Sequence, residues 1–180
     1  MATGALFLMA GSAVAVLATA VAAFTDSRTG HIPNWITFPP ILLAPVANGV
    51  VLGLYGVQMS LLGLFVCGFL PYLMFRQGGM GGGDVKLFAA IGALTGVRLG
   101  LEAQLASLLV GALYSLFRLV QRGRARVVLR NAWYLSVNWL LPEKMRRPVE
   151  PAESDSLRLG TSIFIGTTLA LGWRWASYFA

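Results

Sequence analysis

The chain has 180 residues, 57% of them hydrophobic and 12% charged, with a formal net charge of +7 and a mean hydropathy of +0.71. A soluble domain carries about 25% charged residues, so this balance excludes an ordinary soluble globular protein and reads as an integral membrane protein. The cations are too sparse, and too interrupted by apolar residues, to line a nucleic-acid groove. In a membrane protein their ordinary cause is the enrichment of Lys and Arg in cytoplasmic loops.

A spanning helix needs about 20 apolar residues to cross about 30 Å of hydrocarbon. The first such segment is Ala5–Phe24. Its AVLATAVAA stretch offers A-x-A-like cleavage sites, but no charged residue precedes Asp26. The basic start of a signal peptide is therefore missing, and the segment reads as a membrane helix. From Trp35 to Phe75 there is again no charged residue, enough for two spans with a turn near GLYG, residues 53 to 56. Pro39, Pro40 and Pro45 are expected to kink the earlier of the two. Cys67 lies in the apolar run LLGLFVCGFL and, as the single cysteine, forms no internal disulfide and reads as a small buried hydrophobe.

The fourth span is the odd one, because the stretch between Lys86 and Arg98 is too short to cross alone. It reaches across if the helix begins at or before Asp84 and runs to about Gly100, with Arg98 snorkelling toward the far surface. That geometry draws Asp84 toward membrane depth. On the same segment Gly92, Gly96 and Gly100 form a small-xxx-small stripe suited to close helix packing. A fifth span covers roughly Leu101–Val120 and a sixth about Leu159–Tyr178. Between them, residues 121–158 read as a basic, aromatic-rich interfacial helix followed by a Pro-, Glu- and Ser-rich linker.

The fold class is therefore all-α: a polytopic membrane protein with about six transmembrane helices, forming one integral-membrane domain over residues 1–180. Six spans place all of the 14 Lys and Arg residues on one side, except Arg98 and Arg174. That asymmetry makes the crowded side cytoplasmic and turns both termini outward.

Only two acidic side chains, Asp26 and Asp84, occur before Glu102. An ionised carboxylate at the centre of a spanning helix costs at least about 2.5–3.5 kcal/mol. Taken singly, each reads equally well as a cap or an interfacial charge. As a pair they say more: Asp26 closes the first span and Asp84 opens the fourth, both on the cytoplasmic side, so topology brings them to one depth. The run GGMGGGDVKL, residues 78 to 87, puts five glycines before Asp84. Irregular backbone at that depth is tolerated only where protein or water covers it, so the run reads as a flexible, water-accessible entry for an extended peptide. It fits neither phosphate-binding pattern, G-x-x-x-x-G-K-[ST] or G-x-G-x-x-G. Two neighbouring carboxylates sharing one proton suit general acid–base hydrolysis without a covalent intermediate. A proton-relaying transporter and a catalytically inactive assembly scaffold are the rival readings of the pair.

The stretches DSRTGHIPNWIT, from Asp26 to Thr37, and GGGDVKL, from Gly81 to Leu87, resemble the type IV prepilin peptidase family, membrane-embedded aspartic proteases of the GxGD class. The first matches as an aspartate six residues before Ile32-Pro33-Asn34, the second as Gly81, Gly83 and Asp84 followed by Lys86. The resemblance extends over most of Ala5 to about Val120. It implies that Asp26 and Asp84 are the catalytic pair and that the substrates are prepilin or pseudopilin precursors, each a short basic leader ahead of an apolar helix. It also implies cleavage at the cytoplasmic face of the bacterial inner membrane. The small size and missing N-terminal extension resemble the Tad (Flp) pilus branch.

Two departures matter. The paired Cys-x-x-Cys motifs of bifunctional members are missing, so no methyltransferase activity is expected. The last span reads LRLGTSIFIG in place of the family's proline-aromatic start. Around the pair, Pro33 and Asn34 are expected to form the turn and N-cap of the second span. Lys86 either biases the pair electrostatically or snorkels to the surface. His31 is the only histidine and has no metal-ligand company. No cofactor, metal or nucleic-acid partner is expected; the lipid bilayer and the precursor are the partners, and the oligomeric state is left open.

Overall fold

A computed structural model describes residues 2–121 and 159–179, and within them the chain is helical with no strand. There are four helices: α1, Ala2–Thr29; α2, Asn34–Arg76; α3, Gly82–Gln121; and α4, Leu159–Phe179. The chain divides into two units, Met1–Gly111 with Arg158–Ala180, and Ala112–Leu157. The second unit is described only at 112–121, the end of α3, where Arg118 Nε donates to the Tyr114 hydroxyl at 3.2 Å. Past Gln121, the interfacial helix and linker expected at 121–158 lie outside the described residues. The first unit holds both aspartates.

The sequence predicts six spans, whereas the described residues form four helices. Three stretches, Leu8–Thr29, Asn34–Arg76 and Gly82–Arg118, are long and apolar enough to cross a membrane. The difference lies at two glycines. Gly53 (φ 65°, ψ −154°) interrupts α2, and Gly96 (φ 78°, ψ 178°) interrupts α3. In a straight helix, residues eight apart are about 12 Å apart. Here a Cβ added to Gly56 would strike the Asn48 carbonyl, and one added to Gly100 would lie 2.9 Å from Gly92 Cα. Each helix therefore doubles back on itself through a single residue of positive φ, a conformation open to glycine at no steric cost.

The turn at Gly53 falls within the expected GLYG. The turn at Gly96 corrects the reading that the fourth span runs on to Gly100 with one continuous glycine stripe. Gly92 packs on the Gly63 backbone and Gly100 meets Cys67 Sγ, while Gly96 makes the reversal itself. Arg98 then belongs to the returning limb, where its Nε sits 3.2 Å from Glu102 Oε1. Pro39, Pro40 and Pro45 lie inside α2, and the residue that leaves helical geometry there is Gly53 rather than any of the prolines.

Polar side chains hold the doubled helices together. Ser60 Oγ donates to the Ala93 carbonyl at 2.7 Å, and Asn48 Nδ2 reaches the same oxygen at 3.5 Å while donating to Ala44 O at 2.8 Å. The two limbs of α2 thus meet on one carbonyl of α3. α1 packs against α4 and α2, and among its buried residues Ala15, Thr19 and Ala22 are small, the kind of side chain that lets helix backbones approach closely. A cluster of Ala22, Ile32, Ile36, Met80, Leu87, Phe88, Ile91, Ala103 and Ile163 joins all four helices.

Two caps shape the end of the bundle that carries the aspartates. α1 stops at Gly30 (φ 68°), whose N–H donates to the Asp26 carbonyl at 2.8 Å, a left-handed C-terminal cap. α2 stops in a Schellman motif: Gly79 N–H donates to Met74 O at 2.9 Å and Gly78 N–H to Phe75 O at 2.9 Å. The glycine run 78–83 is thus partly the end of one helix and partly the start of the next.

Candidate active site

Asp26 sits three residues from the end of α1, where the helix dipole disfavours a carboxylate. It is nevertheless only 7% exposed. What receives it is the start of another helix: Gly160 N–H, in the first turn of α4, donates to Asp26 Oδ2 at 3.0 Å. The first N–H groups of a helix have no intrahelical partner, so a carboxylate there fills a vacancy. Gly160 has no Cβ to obstruct this; an added one would lie 2.8 Å from Asp26 Cβ and 2.9 Å from Oδ2.

Asp84 stands on the third residue of α3 and is 8% exposed. Its Oδ2 accepts the Gly81 N–H at 3.3 Å, and Gly81 O accepts the Val85 N–H, also at 3.3 Å. This is half of a capping box, an acidic side chain reaching back to the N-cap amide. Gly83, beside it, faces Ile32, whose Cβ would lie 2.9 Å from a Cβ at that position. The α1–α2 connection therefore rests directly on the first turn of α3, and Ala22, one turn before Asp26, shares a buried cluster with Ile32 and with Leu87, one turn after Asp84. Neither carboxylate receives a hydrogen bond or ion pair from a cation among the described residues.

Asn34 is the first residue of α2, and Pro33 (φ −67°, ψ 146°) occupies the N-cap with no side-chain cap bond. This corrects the expectation of Asn34 as N-cap. Its Oδ1 is engaged elsewhere, accepting from Lys86 Nζ at 2.9 Å, and the same ammonium lies 5.2 Å from the Phe38 ring centroid. Lys86 thus ties the first turns of α2 and α3 together and forms no ion pair with either aspartate. The glycines before Asp84 are likewise occupied in caps and close contacts rather than strung as a free linker.

Gly160 is the residue that sequence reasoning missed. Its only signal is the glycine of LRLG at the head of the final span, and nothing local connects it to Asp26, 134 positions away in sequence.

Residues 13–116, more than half of the chain, match the model of the type IV leader peptidase family. The chain belongs to that family. The match takes in both aspartates and ends before α4 and Gly160. Among curated relatives of this chain, the prepilin peptidase EppA of Methanothermobacter thermautotrophicus is 35% identical over 85 residues, which make up 45% of this chain and 22% of the relative. The prepilin leader peptidase/N-methyltransferase of Bacillus subtilis is 39% identical over 101 residues, 52% of this chain and 38% of the relative. The matched part thus spans well under half the length of either relative. No solved structure matches the chain.

Proposed function

We propose that this protein is a membrane-embedded aspartic endopeptidase that cleaves the leader from prepilin or pseudopilin precursors, with Asp26 and Asp84 as its catalytic pair. The observation that carries the reading is two buried carboxylates from separate helices, each held by one backbone N–H and neither paired with a cation among the described residues. Ionisable side chains at membrane depth are costly and rare, and by default they mark functional sites. The family membership and the names of the two relatives support the peptidase class and the prepilin substrate.

In this reading each limb of α2 and α3 enters the membrane separately, giving six helical passes. The limb 82–95 is about 21 Å long at 1.5 Å per residue, against about 30 Å of hydrocarbon. Arg98, two residues beyond the Gly96 turn, keeps that end within snorkelling reach of the far surface. The Asp84 end then sits roughly 9 Å below the near one, in a depression that water enters from the cytoplasm of a bacterial inner membrane. The scissile peptide lies extended across the two aspartates, its apolar helix still in the bilayer.

The chemistry follows from one proton shared by two carboxylates. The ionised carboxylate takes a proton from the bridging water as its oxygen attacks the scissile carbonyl carbon, and the protonated one donates to the carbonyl oxygen. The resulting tetrahedral diol collapses as a proton passes to the departing amine, breaking the C–N bond and regenerating the shared-proton pair. Gly83 lets the first turn of α3 approach Ile32, Gly81 leaves room for the Asp84 carboxylate to which its N–H donates, Pro33 starts α2, and Asn34 with Lys86 holds that start against α3. Small pilins of the Flp type are the substrate class, and no methyl transfer accompanies cleavage.

Co-expression with a candidate prepilin tests the reading. The precursor is expected to shorten by its leader, and Asp26→Asn or Asp84→Asn, at normal protein levels, to leave it full length. Processing by either variant contradicts the pair.

A further inference from the structure

We infer that the amino-terminal turn of α4 is a third arm of the catalytic site, in which Gly160 is the positioning residue for Asp26. The inference rests on the reading of Asp26 as one of the catalytic pair and adds a residue that the family match does not reach.

Three observations converge on it. First, Asp26 lies near the C-terminal end of its own helix, where a carboxylate is electrostatically disfavoured. The one group that holds the buried side chain, among the described residues, is the Gly160 N–H at 3.0 Å. Second, that N–H belongs to the first turn of α4 and has no partner within its helix. Third, the contact requires a residue without a side chain, because an added Cβ would lie 2.8 Å from Asp26 Cβ, 2.9 Å from Oδ2 and 3.1 Å from Cγ. The lone N–H engages Oδ2 and leaves Oδ1 without a partner among the described residues. A carboxylate fixed at one oxygen and open at the other is oriented for work on water. The next turn of α4 secures the geometry: Ile163 joins the core cluster with Ala22, one turn before Asp26, and its carbonyl accepts from Ser107 Oγ at 3.2 Å.

Gly160 thus acts through Asp26 and touches no substrate. Displacing the carboxylate by a fraction of an ångström to an ångström is expected to slow the chemical step and leave precursor binding alone. Misplacement on that scale costs about 100-fold.

The test uses the full chain in liposomes with a synthetic precursor carrying a short basic leader ahead of an apolar helix. Gly160→Ala is expected to lower kcat about 100-fold, with KM and the thermal midpoint in detergent unchanged. Gly172→Ala, on the same helix at a position with nothing within 4 Å of an added Cβ, is expected to behave as wild type. Wild-type kcat in Gly160→Ala, or a loss expressed in KM instead, overturns the inference. If Asp26→Asn abolishes cleavage in the same assay while Gly160→Ala does not, only the positioning role fails. If Asp26→Asn itself cleaves, the catalytic pair fails. Should Gly160→Ala not fold, amide exchange at Gly160 decides: slower exchange in wild type than in Asp26→Ala supports the inference, and equal rates overturn it.

Discussion

Two regions of this molecule bury polar side chains among apolar helices, and they do so differently. Midway along the doubled helices, Ser60 and Asn48 both deliver their donors to one carbonyl, that of Ala93. At the capped end, Asp26 and Asp84 accept one backbone N–H each, the second at a long 3.3 Å, and neither is paired with a cation among the described residues. The first region ties limb to limb, as polar groups in membrane bundles ordinarily do. The second keeps two carboxylates under-satisfied in a place where a charge is costly, and that is a cost that stability alone does not explain.

The contrast predicts opposite responses to substitution. Largest is the effect of Asp26→Asn or Asp84→Asn, which is expected to take cleavage below detection, because the pair supplies both the general base and the general acid, each worth about 10²–10⁴. The thermal midpoint should hold, because an asparagine oxygen still accepts from Gly160 or Gly81. A midpoint that falls in step with activity would reassign the carboxylates to structure. Next is Gly83→Leu, which drives a side chain into Ile32 and overpacks the junction between the α1–α2 connection and α3. A loss of about 1–3 kcal/mol in detergent unfolding is expected, with cleavage reduced beyond what the folded fraction accounts for.

Ser60→Ala should do the reverse of the aspartate variants. It should lower stability by about 0.6 kcal/mol, and at most about 1.7, while cleavage per folded molecule stays at the wild-type rate. Of similar size is the effect of Lys86→Met. The substitution removes an exposed bond to Asn34 and a cation–π contact with Phe38, and a fall in kcat/KM of about fivefold is expected, the equivalent of about 1 kcal/mol. A fall as deep as that of an aspartate variant would mean that Lys86 acts on the pair directly.

Much of this was legible in the sequence where one residue type has one physical use. Hydropathy marks the apolar segments because lipid-facing surface admits little else, and two aspartates stand out because the surrounding hundred residues contain no other acid. The turn at Gly53 was legible because GLYG divides an apolar run twice the length of a span. The turn at Gly96 was not. A glycine every fourth residue describes a helix face as well as a reversal, and only the contact of Gly100 with Gly92 separates the two. The Lys86–Asn34 bond and the Gly160 contact were out of reach for another reason. They join positions far apart in the chain, and no local pattern records which helix start comes to rest against which helix end.

The central claim is that Asp26 and Asp84 together hydrolyse a leader peptide bond. Its most direct test is incubation of the purified protein with a prepilin precursor, followed by mass determination of the products. Two fragments are expected whose masses sum to the precursor plus one water, cut between the basic leader and the apolar helix, and neither fragment from Asp26→Asn or Asp84→Asn protein of undiminished thermal stability. An uncut precursor with the wild-type protein, or the same two fragments from either variant, would contradict that claim.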